Sequence, residues 1–210
     1  MTTNYQLPTT NWRQWRPGFG LIEFMIVITV FGIATAVITA SFLTFERNQR
    51  LKSAASMLKN DIRLIQNKAL AGDKSSPKCS IVTNPAPVLI GWYLNVVRES
   101  IEYTINSDCR NSAGDEDPDL PVVKTVSLPR GVNISSISLG TNVNILYQPL
   151  TNTATFHNGS VTPSFFDASG NLLSQIGAGS ELTITLGLES DPSKTYKVVI
   201  QPSGEVNEQK

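Results

Sequence analysis

The residues that could do chemistry in this chain are a lone carboxylate, two thiols, an acidic cluster and one imidazole. Glu23 is the sole charge between Arg16 and Glu46. A carboxylate at the mouth of an apolar helix is costly unless something pairs with it, so Glu23 demands a partner. Cys79 and Cys109 are the two cysteines. A bridge between them would close a loop of about 30 residues and stabilise by roughly 3 to 4 kcal/mol on the chain-entropy account. Two isolated buried thiols are the alternative. Asp115, Glu116, Asp117 and Asp119, with Gly114 and Pro118, offer oxygen ligands dense enough for Ca²⁺. Their spacing is not that of an EF-hand, and a solvated loop is the simpler reading, so no metal is assigned. His157, the one histidine, has no Cys or His close in sequence that would complete a zinc site. No G-x-S-x-G, Walker loop or paired catalytic carboxylates accompany it. These residues therefore point to no enzyme and no cofactor. Trp92, Tyr93, Phe165 and Phe166 fit core or interface positions better than a ligand platform.

The elements that must position these groups fall into two kinds. The 210 residues carry 17 Lys+Arg against 17 Asp+Glu, with a pI of about 6.6. That balance argues against nucleic-acid binding by bulk charge. The apolar residues are unevenly spread, because Phe24 to Phe45 is free of charge. As a helix this run spans about 33 Å, against a bilayer core of about 30 Å. Before it, Met1 to Gly18 is polar, with Arg13 and Arg16 as its charges. A basic leader stays in the cytoplasm, so the chain beyond the segment faces outward, where disulfides persist. Ala34, Ala36 and Ala40 could end a cleaved secretory signal, but the apolar run exceeds the usual h-region and continues into a helical pattern. A plain uncleaved anchor leaves Glu23 unexplained.

Leu51, Ala54, Leu58, Ile62, Ile65 and Ala69 recur at steps of three and four, while Lys52, Lys59, Arg63 and Asn67 take other faces. This amphipathic half should pack on a soluble domain as core. No proline interrupts Phe19 to Ala71, and Gly72, followed by Asp73, Ser75, Ser76 and Pro77, supplies the stop. From Lys78 the period changes to two. Strands are expected over 88–97, 100–106, 122–128, 132–139, 143–148, 153–157, 181–188 and 195–201. The fold class is α+β: a long N-terminal helix, its first half transmembrane, packed on an antiparallel β-sheet or β-sandwich domain.

The junction Gly18-Phe19-Gly20-Leu21-Ile22-Glu23, followed by Phe24-Met25-Ile26-Val27-Ile28, closely resembles the cleavage and methylation signal of type IV pilin-like proteins. Leu21, Ile22, Met25, Ile26, Val27 and Gly32-Ile33 also sit at the offsets that family prefers. The resemblance implies that a membrane prepilin peptidase cuts between Gly18 and Phe19 and methylates the new amine of Phe19. It implies that Glu23, fifth in the processed chain, pairs with the N-terminal amine of an adjacent subunit. Removing one partner of such a buried pair costs roughly 3 to 5 kcal/mol, which makes Glu23 an assembly residue. Gly20 stands where the family usually has Thr or Ser, the leader is longer than the family's shortest, and Ala40 stands where many pilins have a kinking proline.

A narrower likeness involves Ala55 to Gly72, Leu128-Pro129-Arg130-Gly131-Val132, Phe166-Asp167-Ala168-Ser169-Gly170 and Tyr196 to Val206, which look like the minor pseudopilin H and FimT-like branch. Some members of that branch bind DNA through an arginine-bearing tail. Here the tail Gly204-Glu205-Val206-Asn207-Glu208-Gln209-Lys210 lacks those arginines, so no nucleic-acid partner is expected. The expected organisation is a leader over 1–18, a transmembrane and filament-core segment over 19–45, the amphipathic part of the same helix over 46–72, and a β-rich domain over 73–210. The implied role is that of a minor pilin or pseudopilin in a type IV pilus or type II secretion pseudopilus. Its partners would be the prepilin peptidase, other pilin subunits, an inner-membrane assembly platform and, before assembly, membrane lipid. The implied location is the inner membrane, with the globular domain in the periplasm or outside. The competing reading is a membrane-anchored extracytoplasmic binding module that never enters a filament.

Overall fold

A computed structural model describes residues 18, 20–79, 86–110, 122–159, 165 and 175–210, with backbone alone at 37, 38, 40, 41, 43 and 78. One helix, α1 (Leu21–Leu70), is followed by a 3₁₀ turn at Pro77–Cys79. Nine strands come after it: β1 (Val88–Val97), β2 (Glu102–Arg110), β3 (Lys124–Ser127), β4 (Val132–Ile137), β5 (Asn142–Tyr147), β6 (Ala154–Asn158), β7 (Leu182–Leu188), β8 (Asp191–Ile200) and β9 (Val206–Gln209). The chain divides into two compact units, one ending at Thr44 and the other beginning at Phe45.

In the second unit the expected stripe is the core. Leu51, Ala54, Ala55, Leu58, Ile62, Ile65 and Ala69 are all buried. They join one cluster with Trp92, Leu94 and Val96 of β1, Val143, Ile145 and Tyr147 of β5, Leu182, Ile184 and Leu186 of β7, and Val198 and Ile200 of β8. The helix ends where Gly72 enters the left-handed region at φ 62°. There the Gly72 N–H bonds the Ala69 carbonyl at 3.0 Å and the Asp73 N–H bonds the Lys68 carbonyl at 2.9 Å. This paired closure satisfies two otherwise orphaned carbonyls.

Two wholly antiparallel sheets surround the stripe, ordered β3-β2-β1-β5-β6 and β4-β7-β8-β9. The sheets are stitched by backbone bonds. Glu99 N–H reaches the Ile134 carbonyl at 2.7 Å, and Ala154 N–H reaches the Pro202 carbonyl at 3.0 Å. Eight of these strands lie where the alternation places them. β2 runs on to Arg110 rather than stopping at Asn106, because its outward residues are covered rather than wet, so the polar cue for an end is misleading. β9 was not expected: its Asn207-Glu208-Gln209 is polar, and only Val206 is buried apolar surface. It holds through the β8 ladder and through Glu208, which meets Lys59 of α1 at 3.2 Å.

Candidate assembly site

The site is built on the first turns of α1. Gly20 precedes the helix, and its carbonyl accepts the Phe24 N–H at 3.2 Å. Glu23, three residues on, turns back so that its Oε2 accepts the Gly20 N–H at 3.3 Å. This is the reciprocal half of a capping box, and it puts a negative charge where the helix dipole favours one. Among the described residues the Glu23 carboxylate has no cationic partner. Gly18 is exposed, and open space lies where a side chain would project. Phe19, the other half of the expected scissile bond, lies outside the described residues.

On either side of Glu23 the described surface of the first turns is apolar. Leu21, Ile22, Phe24, Met25, Ile26, Ile28, Val30, Phe31 and Ile33 are all exposed. Such a surface belongs in lipid or against other helices, not in water. Three of its threonines bond their own helix: Thr29 donates to the Ile26 carbonyl at 2.8 Å, Thr35 to the Phe31 carbonyl at 2.7 Å, and Thr39 to the Thr35 carbonyl at 2.8 Å. Polar groups that bond their own backbone leave no demand on an apolar environment. Among the described residues no helix is long and apolar enough to cross a membrane. The described side chains run unbroken from Gly20 to Ala36, and those at 37, 38, 40, 41 and 43 fall outside them.

Cys79 and Cys109 form a disulfide with Cα atoms 5.3 Å apart, which removes the alternative of two isolated thiols. It joins the 3₁₀ turn after α1 to the far end of β2. Beside it Ser107 and Ser76 share a hydroxyl–hydroxyl hydrogen bond, and Ser107 Oγ lies 3.6 Å from Cys79 Sγ. Next to this junction Lys68 contacts Asp73 Oδ2 at 2.5 Å and lies 4.4 Å above the Trp92 ring, whose Nε1–H donates to the Asp73 carbonyl at 2.8 Å. The Lys68 hydrogen bond, with those from Ser75, holds the Asp73 carboxyl down at about 2.

The acidic run Asp115, Glu116, Asp117 and Asp119 lies outside the described residues, as does Phe166. Among the described residues no group of His, Cys, Asp and Glu gathers to hold a metal. His157 is buried, with Nε2 3.0 Å from Thr155 Oγ1 and its ring edge-on to Phe165 at 5.1 Å. Burial lowers its pKa to about 4, so the ring is neutral and packed. Tyr93 meets Phe165 at 5.0 Å on the same patch. With Leu146 they form a small second core on the outer face of the five-stranded sheet. Sequence alternation could not show this core, because Phe165 reaches it from the β6–β7 connection.

No protein-family model matches the chain, and no curated protein does. Among solved structures, a type IV minor pilin, FimU, of Pseudomonas aeruginosa aligns over 79% of this chain and 91% of its own, at 10% identity and a TM-score of 0.42. A second crystal form of that protein gives 76% and 93%, at 8% identity and 0.40. The minor pseudopilin EpsH from the type 2 secretion system of Vibrio cholerae gives 76% and 96%, at 12% identity and 0.36.

Proposed function

We propose that this chain is a non-enzymatic structural subunit, a minor pilin or pseudopilin. In this reading it is cut between Gly18 and Phe19 by a prepilin peptidase, methylated on Phe19, inserted through 19–45 and drawn into a filament by that helix. The observation that carries the reading is the contrast within α1. One stripe of its second half is buried in the β domain's core, while the described side chains of its first half expose an apolar surface headed by one carboxylate. A tether needs no charge in its span, whereas helix-to-helix assembly gives Glu23 a role. Cleavage frees a cationic amine on Phe19, and a Glu23 carboxylate from the neighbouring subunit neutralises it and sets the axial register. The β domain is then displayed outside the helical shaft.

The test has two readouts. Intact mass of the chain from cells with an active prepilin peptidase is expected to match a methylated N-terminus at Phe19; an uncut leader overturns the processing step. Glu23→Ala is expected to be processed normally yet be lost from sheared filaments. Leaving the amine unpaired costs roughly 3 to 5 kcal/mol, which corresponds to at least a hundredfold drop in incorporation. Unchanged function of the Glu23→Ala chain would instead mark a tethered binding module.

A further inference from the structure

Four strands stand at the edges of the two sheets, and the chain itself covers three of them. β4 is met by the β1–β2 turn, where the Ile134 N–H donates to the Ser100 carbonyl at 2.9 Å and the Ile134 carbonyl accepts from Glu99. β6 is met by Pro202, whose carbonyl accepts the Ala154 N–H, and by Ile176, whose N–H donates to the Phe156 carbonyl at 2.8 Å. β9 is met by α1, where Lys59 and Ser56 hold Glu208. β3 is the exception. The Leu128 N–H donates to the Ile101 carbonyl at 2.8 Å, and this contact sets the phase of the β2–β3 ladder. Tyr103 with Val126 and Ile105 with Lys124 are the hydrogen-bonded pairs, whereas Thr125 and Ser127 are not bonded to the residues opposite them. The N–H and C=O groups of Thr125 and Ser127 therefore point away from the sheet, and among the described residues no backbone group meets them.

We propose that β3 is a docking edge that takes a sixth strand from a partner protein: an extended, uncharged segment with apolar residues at alternate positions. An open edge is ordinarily blunted by charge, proline or a bulge. Here Lys124 is turned onto Asp61 of α1 at 3.5 Å, Pro129 lies beyond the strand, and the β2–β3 register is unbroken. The run from 122 to 127, Val-Val-Lys-Thr-Val-Ser, is otherwise rich in strand formers, and Val122 and Val123 are exposed. The chemistry of the partner follows from the flank. Tyr103 and Lys124 both bond Asp61, so this edge runs beside that part of α1 and neither charge calls for an ion on the partner. Met57 and Leu64 lie one turn to either side of Asp61 on the same face of the helix, and Leu64 is 42% exposed. A strand laid on β3 turns every second side chain towards that face. Backbone bonds at Thr125 and Ser127 supply affinity, and the apolar flank supplies specificity. The edge belongs to the β domain and depends neither on processing nor on assembly through the helix.

The full chain in neutral detergent is mixed with a peptide capped at both ends, Lys-Thr-Val-Thr-Val-Thr-Lys, and amide hydrogen exchange is read residue by residue. The peptide is expected to slow exchange at Thr125 and Ser127 at least about fivefold and to leave Val126, already bonded to Tyr103, unchanged. Its threonines fall opposite Thr125 and Ser127 and its valines face α1. Methylating the threonine nitrogens removes the donors that meet the edge and is expected to abolish the slowing. Replacing both valines with glutamate is expected to abolish it as well, and equal slowing by that peptide overturns the apolar flank. Thr125→Pro removes one outward N–H and leaves the β2–β3 ladder intact, so it is expected to abolish the slowing at Ser127 with the thermal midpoint nearly unchanged. The methylated peptide tests the same bonds on the unaltered chain. Slowing that survives methylation, or no slowing at all, overturns the docking edge. Slowing at Thr125 and Ser127 that grows with protein concentration in the absence of peptide assigns the edge to a second copy of the chain and overturns the partner.

Discussion

His157 makes the fold sensitive to mild acid. Its folded pKa is about 4, below the ordinary value of 6.5, so the unfolded chain takes up a proton that the folded chain refuses. The contribution is complete above pH 6.5 and is lost as pH falls from 6.5 towards 4, to a total of roughly 3 kcal/mol. Urea midpoints for wild type are expected to fall over that window, and His157→Gln should flatten the slope. An equally steep fall in the variant would show that other groups cause it. Tyr147 is the opposite case. Its hydroxyl is buried in the core without a hydrogen-bond partner among the described residues, and burial pushes its pKa far up. Tyr147→Phe removes a desolvated polar group and keeps the packing, so it should be neutral or stabilising by about 1 to 2 kcal/mol. A loss of stability in chemical denaturation would reveal a bond to the phenol. Neither property was legible in the sequence, because both depend on what covers the side chain rather than on its identity.

At the scale of elements, α1 was legible at both ends. The carboxylate at the head of the apolar run and Gly72 at the stop are local signals, and so is the three-and-four spacing of the stripe. The strands before β9 were legible for the same reason, since alternation reports a half-buried sheet. β9 was not, because a polar edge strand is held by its neighbours. Gly204, in the turn that leads into it, shows how. It sits at φ +86°, and a side chain there would run into the Asn152 carbonyl oxygen and Gln66 Nε2. Gly204→Ala combines left-handed strain with a backbone clash and should destabilise by more than about 2 kcal/mol. Gly179→Ala, also left-handed but facing open space, should cost about 1 kcal/mol. Similar thermal shifts for the two variants would mean that the β8–β9 turn does not lean on α1 and the β5–β6 connection.

For the whole molecule, the zero net charge of the sequence averages unlike parts, because cleavage after Gly18 would remove Arg13 and Arg16 and no acid. The division into an apolar helical stretch and a polar β domain was visible from where the charges stop and start. The outer-face core around Phe165 was not, since it joins residues far apart in the chain. The same holds for the Cys79–Cys109 bridge, whose existence was open until the fold brought the two residues together. That bridge has a mechanical consequence. Tension applied between α1 and the end of β9 passes through sulfur, bypassing the 30-residue separation that contains β1 and most of β2. About 100 Å of potential extension is thereby withheld. Single-molecule stretching of the chain should show a fully unravelled length longer by that amount once reductant is added, and equal lengths would mean an open bridge. A chain pulled by its helix can lose its outer strands, but this loop cannot unspool.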